Sequence, residues 1–465
     1  MTPQAQLAML AWIPVVLFLF VRFPAQKAVI IGFIGAWLFL PQKAGFYFSG
    51  LPDYDRVSAV SYSILLATFV FDVGRFRSFK FSWIDIPMVI WCLCQLASSI
   101  TSGLGAYDGM SAVLGTTMQW GVPYFLGRIY LNDLVGLRLL AIGIFIGGLI
   151  YTPLCLYEIR MSPRLHVMVY GYFPHSFVQT VRYGGFRPQV FMRHGLQVGI
   201  WMMAASLIGI WLWQSGVLKK LWGIPVSWLV SVLCITFVLA KSTGAWALMA
   251  LGLIILFVAK WFRTALPFVL TIVIVFSYLY GGVTGEFTGE RKDGIIDAVA
   301  QVTGEERAGS LGARFNQEEI IGDMARQKIL FGWGGWGWTA EDDDSNKTYS
   351  AADSFWILTF ASHGVVGLLS IYLAMLLPVF SFWWLCYPAT TWFHPQVAPA
   401  AAVAVVVLLF MADCLLNAHP TPTYILASGS LAGLVIKETR IKQVKSNRAA
   451  VTRHSLAQKR QHQHN

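Results

Sequence analysis

Long apolar runs separated by short polar breaks set the pattern of this chain. Runs bounded by charge, Pro or Gly fall at about 7–21, 28–40, 57–71, 84–100, 110–126, 134–157, 190–213, 221–240, 245–257 and 265–280. After a long polar interval come 354–377, 397–416 and a weaker 424–435. A bilayer core is crossed by about 20 helical residues. The runs lack the alternation of apolar and polar positions that a lipid-facing strand needs, so helices are expected rather than a barrel. The expected fold class is therefore all-α: a polytopic membrane helix bundle of about 12–13 transmembrane helices with a large, partly helical outer loop.

Composition sharpens this. The chain has 465 residues, 56% hydrophobic and only 12% charged. A soluble domain is about a quarter charged, so there is too little polar surface here to coat a water-soluble globule. The net charge of +11 is explained by loops on one face, not by nucleic acid. Arg22/Lys27, Arg75/Arg77/Lys80, Arg128/Arg138, Lys219/Lys220 and Lys260/Arg263 occupy alternate loops. By the positive-inside rule that face is cytoplasmic and the N-terminus lies outside. Residues 1–437 are expected to form the transmembrane domain, with outer loops 158–189 and 281–352. Residues 438–465 are expected to form a basic, disordered cytoplasmic tail that is solvated or rests on anionic membrane lipids. The first run ends Val21-Arg22-Phe23-Pro24 without a small-residue cleavage site, which suggests a retained helix. The six cysteines form no CxxC pair and read as small apolar residues. No repeat of fixed period is visible.

Against the charge trend, the loop 158–189 carries Arg160, Arg164, Arg182 and Arg187. The stretch "YGGFRPQVFMRHGLQVGIWMMAA" (183–205) then places Pro188 where a first helical turn tolerates it. Arg187 would stand at the helix mouth, with Arg193 and His194 about one turn inside. Guanidinium forks beside a helix N-terminus suit a diphosphate. Snorkelling to lipid headgroups is the alternative, and His194 could simply cap or pack. In the long loop, residues 314–330 repeat apolar positions every three to four residues, as in a surface helix. Arg314 near its N-terminus is misplaced for helix stability, which suggests another task. The run 332–338 follows, where Trp336 and Trp338 could stack on a sugar or anchor at the interface. Asp342–Asp344, with Glu341, reads as a solvated acid run, with a divalent-cation site as the alternative. Asp353, at the mouth of the next helix, could take a hydroxyl proton or cap the helix. His363 lies about ten residues deeper and reads as a neutral residue hydrogen-bonded between helices.

These features resemble the O-antigen ligase and O-antigen polymerase superfamily of bacterial membrane glycosyltransferases. The resemblance lies in Arg314 followed by "KILFGWGGWG" (328–337), "DSFWI" (353–357), Gly364-Val365-Val366-Gly367 and "LAKSTGA" (239–245). Many ligases carry His where Asp353 stands and Asn where Ser354 stands, which favours polymerisation over ligation. The resemblance implies a multi-pass protein of the bacterial cytoplasmic membrane that works on its outer face. It would move a glycan from a polyprenyl diphosphate carrier to an acceptor hydroxyl, without nucleotide sugar, cofactor or nucleic acid. The partners implied are a polyprenyl-diphosphate-linked glycan and a glycan, lipid or protein acceptor. Arg187, Arg193 and Arg314 would neutralise the leaving diphosphate, and Asp353 or His194 would accept the proton. A ligase with a lipid or protein acceptor is the near alternative. A polysaccharide or lipid transporter is the distant one, and would be expected to show repeat symmetry.

Overall fold

The computed structural model describes residues 1–47, 52–182, 184–286, 294, 296–297, 301, 305–335 and 354–463, with backbone only for 305–308, 310–311 and 445–463. Its main helices are α1 (Pro3–Arg22), α2 (Ala25–Phe39), α3 (Arg56–Phe71), α4 (Ile86–Thr101), α5 (Ala106–Thr116), α6 (Val122–Tyr130), α7 (Leu134–Met161), α8 (Leu165–Tyr170) and α9 (Gly195–Gln214). They continue with α10 (Val226–Leu239), α11 (Thr243–Phe262), α12 (Leu266–Thr284), α13 (Glu305–Arg326), α14 (Phe355–Ser381), α15 (Ala398–Asp413) and α16 (Pro422–Gln463). Among the described residues, seven helical segments are long and apolar enough to cross a membrane, those holding α1, α4, α7, α9, α11, α12 and α14. The shorter apolar helices α2, α3, α10 and α15 accompany them. The protein is an all-α polytopic membrane bundle. Among the described residues, strands occur only as two-residue antiparallel pairs.

Caps begin several helices where the sequence turns from polar to apolar. Asp55 accepts from the Val57 and Ser58 amides at the start of α3, and Asp133 from the Gly136 amide at the start of α7. The centre of the bundle is α15, whose "APAAAVAV" start is buried along its whole length. Apolar surface gains little by leaving lipid for protein, so close packing has to hold such helices together. Small side chains permit it. The sharpest case joins α6 to α16, where a Cβ on Gly127 would run into the Leu426 carbonyl and one on Gly429 into that of Tyr124.

The loops sort to two ends. At one end Gln42 bonds the Phe191 carbonyl, Arg187 bonds Ser242, and Arg314 bonds Asn417. At the other, Arg128 pairs with Asp85, and Lys437 with Asp133. The first is called the loop end here and the second the basic end.

Two expected elements differ. The helix predicted over 190–213 begins only at Gly195, so Pro188 is not in its first turn and Arg187 and Arg193 lie in the irregular segment before it. The reason is the buried Glu158, which accepts amide hydrogens from Leu165, Gln189 and Val190 and holds 189–190 out of the helix. The surface helix predicted over 314–330 is α13, and it runs earlier, Glu305–Arg326, which puts Arg314 in its middle and not near its start. The last helix carries helical backbone to Gln463.

The chain also breaks α14. Gly364 has φ 62°, outside the helical region. The loop 329–334 lies against the break. The Val365 and Val366 amides donate to the Ile329 and Leu330 carbonyls, and the Trp333 and Gly334 amides donate to those of Ala361 and Ser362. Backbone groups freed by the kink thereby find partners, which apolar surroundings demand. A Cβ on Gly332 or on Gly364 would meet the backbone of the opposing segment, so both positions require glycine.

Candidate functional site

The site is built from three segments far apart in sequence. In the first, Tyr151 accepts the Phe191 amide at 3.0 Å and Gln42 holds its carbonyl at 3.0 Å. Arg193 follows, exposed, its own amide bonded to Gln197 Oε1 at 2.9 Å. His194 is the N-cap of α9. Its Nδ1 accepts the Leu196 amide at 3.0 Å, which leaves the ring proton on Nε2, 2.9 Å from Gln179 Oε1. Burial first, then Arg187, His419, His175 and Arg182, push this imidazole down to about 3. A capping nitrogen that already accepts a backbone hydrogen bond is poorly placed to take a substrate proton.

Arg187 crosses the first residue of α9. A Cβ on Gly195 would lie 2.6–2.7 Å from its Cδ, Cγ and Nε, so only glycine leaves room for the side chain. The arginine is 2% exposed, and Nη2 donates to Ser242 Oγ at 3.0 Å. Ser242 belongs to the 239–245 stretch, and Lys241 beside it donates to the Arg182 carbonyl at 3.0 Å. Two cation-bearing loops thus meet over the end of α9.

The second segment is α13. Its anchor is Glu318, which accepts from Tyr278 Oη at 2.9 Å, Ser354 Oγ at 2.6 Å and Trp356 Nε1 at 3.0 Å. Burial pushes the Glu318 carboxyl up, against those three donors and Arg314, which favour its charged form. At the other end of α13, Arg326 bonds the Gly282 carbonyl at 3.1 Å. The helix is therefore fastened across the tops of α12 and α14. Half-buried Arg314 points from it to Asn417 Oδ1 at 3.4 Å.

The third segment, between α15 and α16, was not singled out from sequence. Asn417 donates to Asp413 Oδ1 at 2.7 Å, and both are buried. Two residues on stands His419. Its Nε2 is buried with no hydrogen-bond partner among the described residues. Its basicity is pushed down to about 4, first by burial and then by Arg193, Arg187 and Arg314, with the Ala418 carbonyl opposing. All three arginines expected at the site therefore act on one imidazole. A small cavity beside it is lined by Gln197, Asp413, His419, Thr421, Trp37 and Trp201. A signal for this segment did exist. "DCLLNAHPTPTY" sets an acid, an amide and an imidazole at the end of an apolar run, on the same face as Arg187.

The Gly/Trp run has a structural duty, set out above. Trp333 also donates from Nε1 to the Met324 carbonyl at 2.9 Å, and Lys328 Nζ sits 4.1 Å over its ring. Trp336, Trp338, the acid run 341–344 and Asp353 lie outside the described residues. His363 is buried at the α14 break, edge-on to Trp91 at 5.4 Å. Its Nδ1 has no hydrogen-bond partner among the described residues. Among the described residues no three His, Cys, Asp or Glu gather as metal ligands would.

Residues 226–372 match the O-antigen ligase family. The O-antigen ligase/polymerase superfamily that the sequence resembles is supported by this match. The matched stretch holds Ser242, Arg314, Glu318 and the loop paired with the α14 break, and stops short of Asn417 and His419. Arg187 and Arg193 precede it. No curated protein matches the chain.

Proposed function

We propose that this protein transfers a glycan from a polyprenyl diphosphate carrier to an acceptor hydroxyl, and that it polymerises polysaccharide repeat units. The loop end is read as the outer face of the bacterial cytoplasmic membrane, since the basic end carries the lysines and arginines of the short loops. The observation that carries the reading is the placing of arginines at the loop end, Arg187 held by Ser242 and Arg314 by Asn417, two residues before His419, with Arg193 exposed beside the start of α9. Among the described residues these cations outnumber the one acid beside His419, Asp413, and such an excess suits a dianionic leaving group. Forked guanidiniums would bind it in pairs and oppose the charge that grows as the glycosidic bond breaks. The apolar helices below suit the prenyl chain. The sequence suggests Asp353 or His194 as the proton acceptor, and Asp353 lies outside the described residues.

Ligation of finished polymer to a lipid or protein acceptor is the second reading, favoured by the family matched over 226–372. Gene deletion separates the two. Single repeat units accumulating on the carrier support polymerisation, and full-length polymer left on the carrier supports ligation. Arg314→Ala should give the deletion phenotype while the protein still reaches the membrane. Polymer of normal chain length in that variant would defeat the assignment.

A further inference from the structure

We propose that His419 takes the proton of the acceptor hydroxyl, and that it becomes able to do so when a diphosphate fills the arginine cluster beside it. This rests on the donor assigned above. The first observation is geometric. Nε2 of His419 is buried beside a small cavity that Gln197, Asp413 and Thr421 share with apolar and aromatic side chains, and it has no hydrogen-bond partner among the described residues. Buried polar atoms are nearly always paired, and an exception calls for a functional explanation. The second is position. His419 follows Asn417, which bridges Arg314 on α13 to Asp413 on α15. The imidazole is thus held where the outer helix meets the bundle. The third is the alternative imidazole, His194, which has both ring nitrogens engaged.

Among the described residues, the charged and titratable groups around His419 come from several elements. Arg187, Arg193 and His194 come from the segment before α9, Arg314 from α13, and Asp413 from α15, with Tyr424 of α16 on the same cavity. The net field of these groups is cationic, and it holds the imidazole neutral and a weak base. A diphosphate brings about two negative charges and cancels much of that field, which raises the proton affinity. The acceptor oxygen then attacks the anomeric carbon. The bond from that carbon to the diphosphate oxygen breaks, and its electron pair leaves on the diphosphate. The hydroxyl proton moves to Nε2, and the imidazolium, now beside the released diphosphate, passes the proton to it or to water. Base strength is thereby tied to donor occupancy.

The test uses the full chain in nanodiscs. Lipid-linked repeat units extracted from a strain lacking the gene serve as substrate, and radiolabelled undecaprenyl diphosphate as binding probe. His419→Gln should bind the probe about as tightly as wild type, turn over about 10²–10⁴-fold more slowly, and lose the acidic limb of the rate profile. Imidazole should partly restore His419→Ala, which a merely structural residue would not allow. If Gln prevents assembly, His419→Asn is judged by the same measures. Wild-type rate and profile in His419→Gln would overturn the inference, and so would loss of probe binding equal to the loss of rate. If Arg314→Ala loses turnover while His419→Gln keeps it, only the role of His419 falls. A wild-type protein that binds no undecaprenyl diphosphate and turns over no lipid-linked unit removes the proposed function itself, and this inference with it.

Discussion

A methyl group separates Gly195 from the residue that Arg187 could not pass. The guanidinium reaches Ser242 only because nothing projects from the first turn of α9. Gly195→Ala should therefore displace Arg187 at a cost of about 1–3 kcal/mol, as overpacking does, and lower activity nearly as far as Arg187→Ala. The check is polymer yield at equal protein level; full yield in Gly195→Ala would show that the crossing is dispensable. The two imidazoles here make a second residue-scale prediction. An unfolded His takes up its proton near pH 6.5, whereas folded His419 resists to about 4 and His194 to about 3. Below about pH 6.5 the unfolded chain therefore binds more protons than the native one, and stability falls as pH drops. Melting temperature in detergent should decline between about pH 6.5 and pH 4. It should decline less in His419→Gln. Parallel curves would mean that His419 is not held neutral by the fold.

At the scale of elements, α13 depends on one carboxylate. Glu318 gathers donors from α12, from α14 and from Ser354 just before α14. Glu318→Ala would strand three of them, at about 1–3 kcal/mol each where they stay buried. The expected result is local: faster amide exchange and protease cleavage within α13, lost activity because Arg314 leaves Asn417, and a bundle that still melts cooperatively. Unchanged exchange in α13 would refute the anchoring role. The sequence revealed α13 through its apolar period, but its start was misjudged by about nine residues. The stretch ahead of Arg314 is polar and Gly-containing, and only Glu318 and its partners show what the helix is fastened to. Likewise the apolar run from 190 looked helical throughout. Nothing local announces that Glu158, about thirty residues upstream, takes the Gln189 and Val190 amides. The break at Gly364 was equally silent, because its cause is pairing with a loop about thirty residues earlier.

For the whole molecule, class and span order were legible because lipid imposes one rule on every segment, internal hydrogen bonding beneath an apolar surface. The site was legible only in part. Arg187 stood out against the charge trend, Arg193 beside an expected helix mouth and Arg314 near an expected helix start, while Asn417 and His419 are ordinary residues until the bundle brings three distant loops together. Which side of the membrane that meeting place faces follows from the asymmetry of the short loops. Arg75, Arg77, Lys219 and Lys220 belong to one end, and Arg160 and Arg164, both exposed, to the other. Single cysteines test this directly, once the native six are replaced by alanine or serine. In intact spheroplasts, a membrane-impermeant maleimide should label Arg164→Cys and spare Arg77→Cys and Lys219→Cys until the membrane is opened. The opposite pattern would turn the arginine cluster toward the cytoplasm. It would then face nucleotide-linked precursors and not finished lipid-linked glycans, and the chemistry proposed for it would have no substrate on that side.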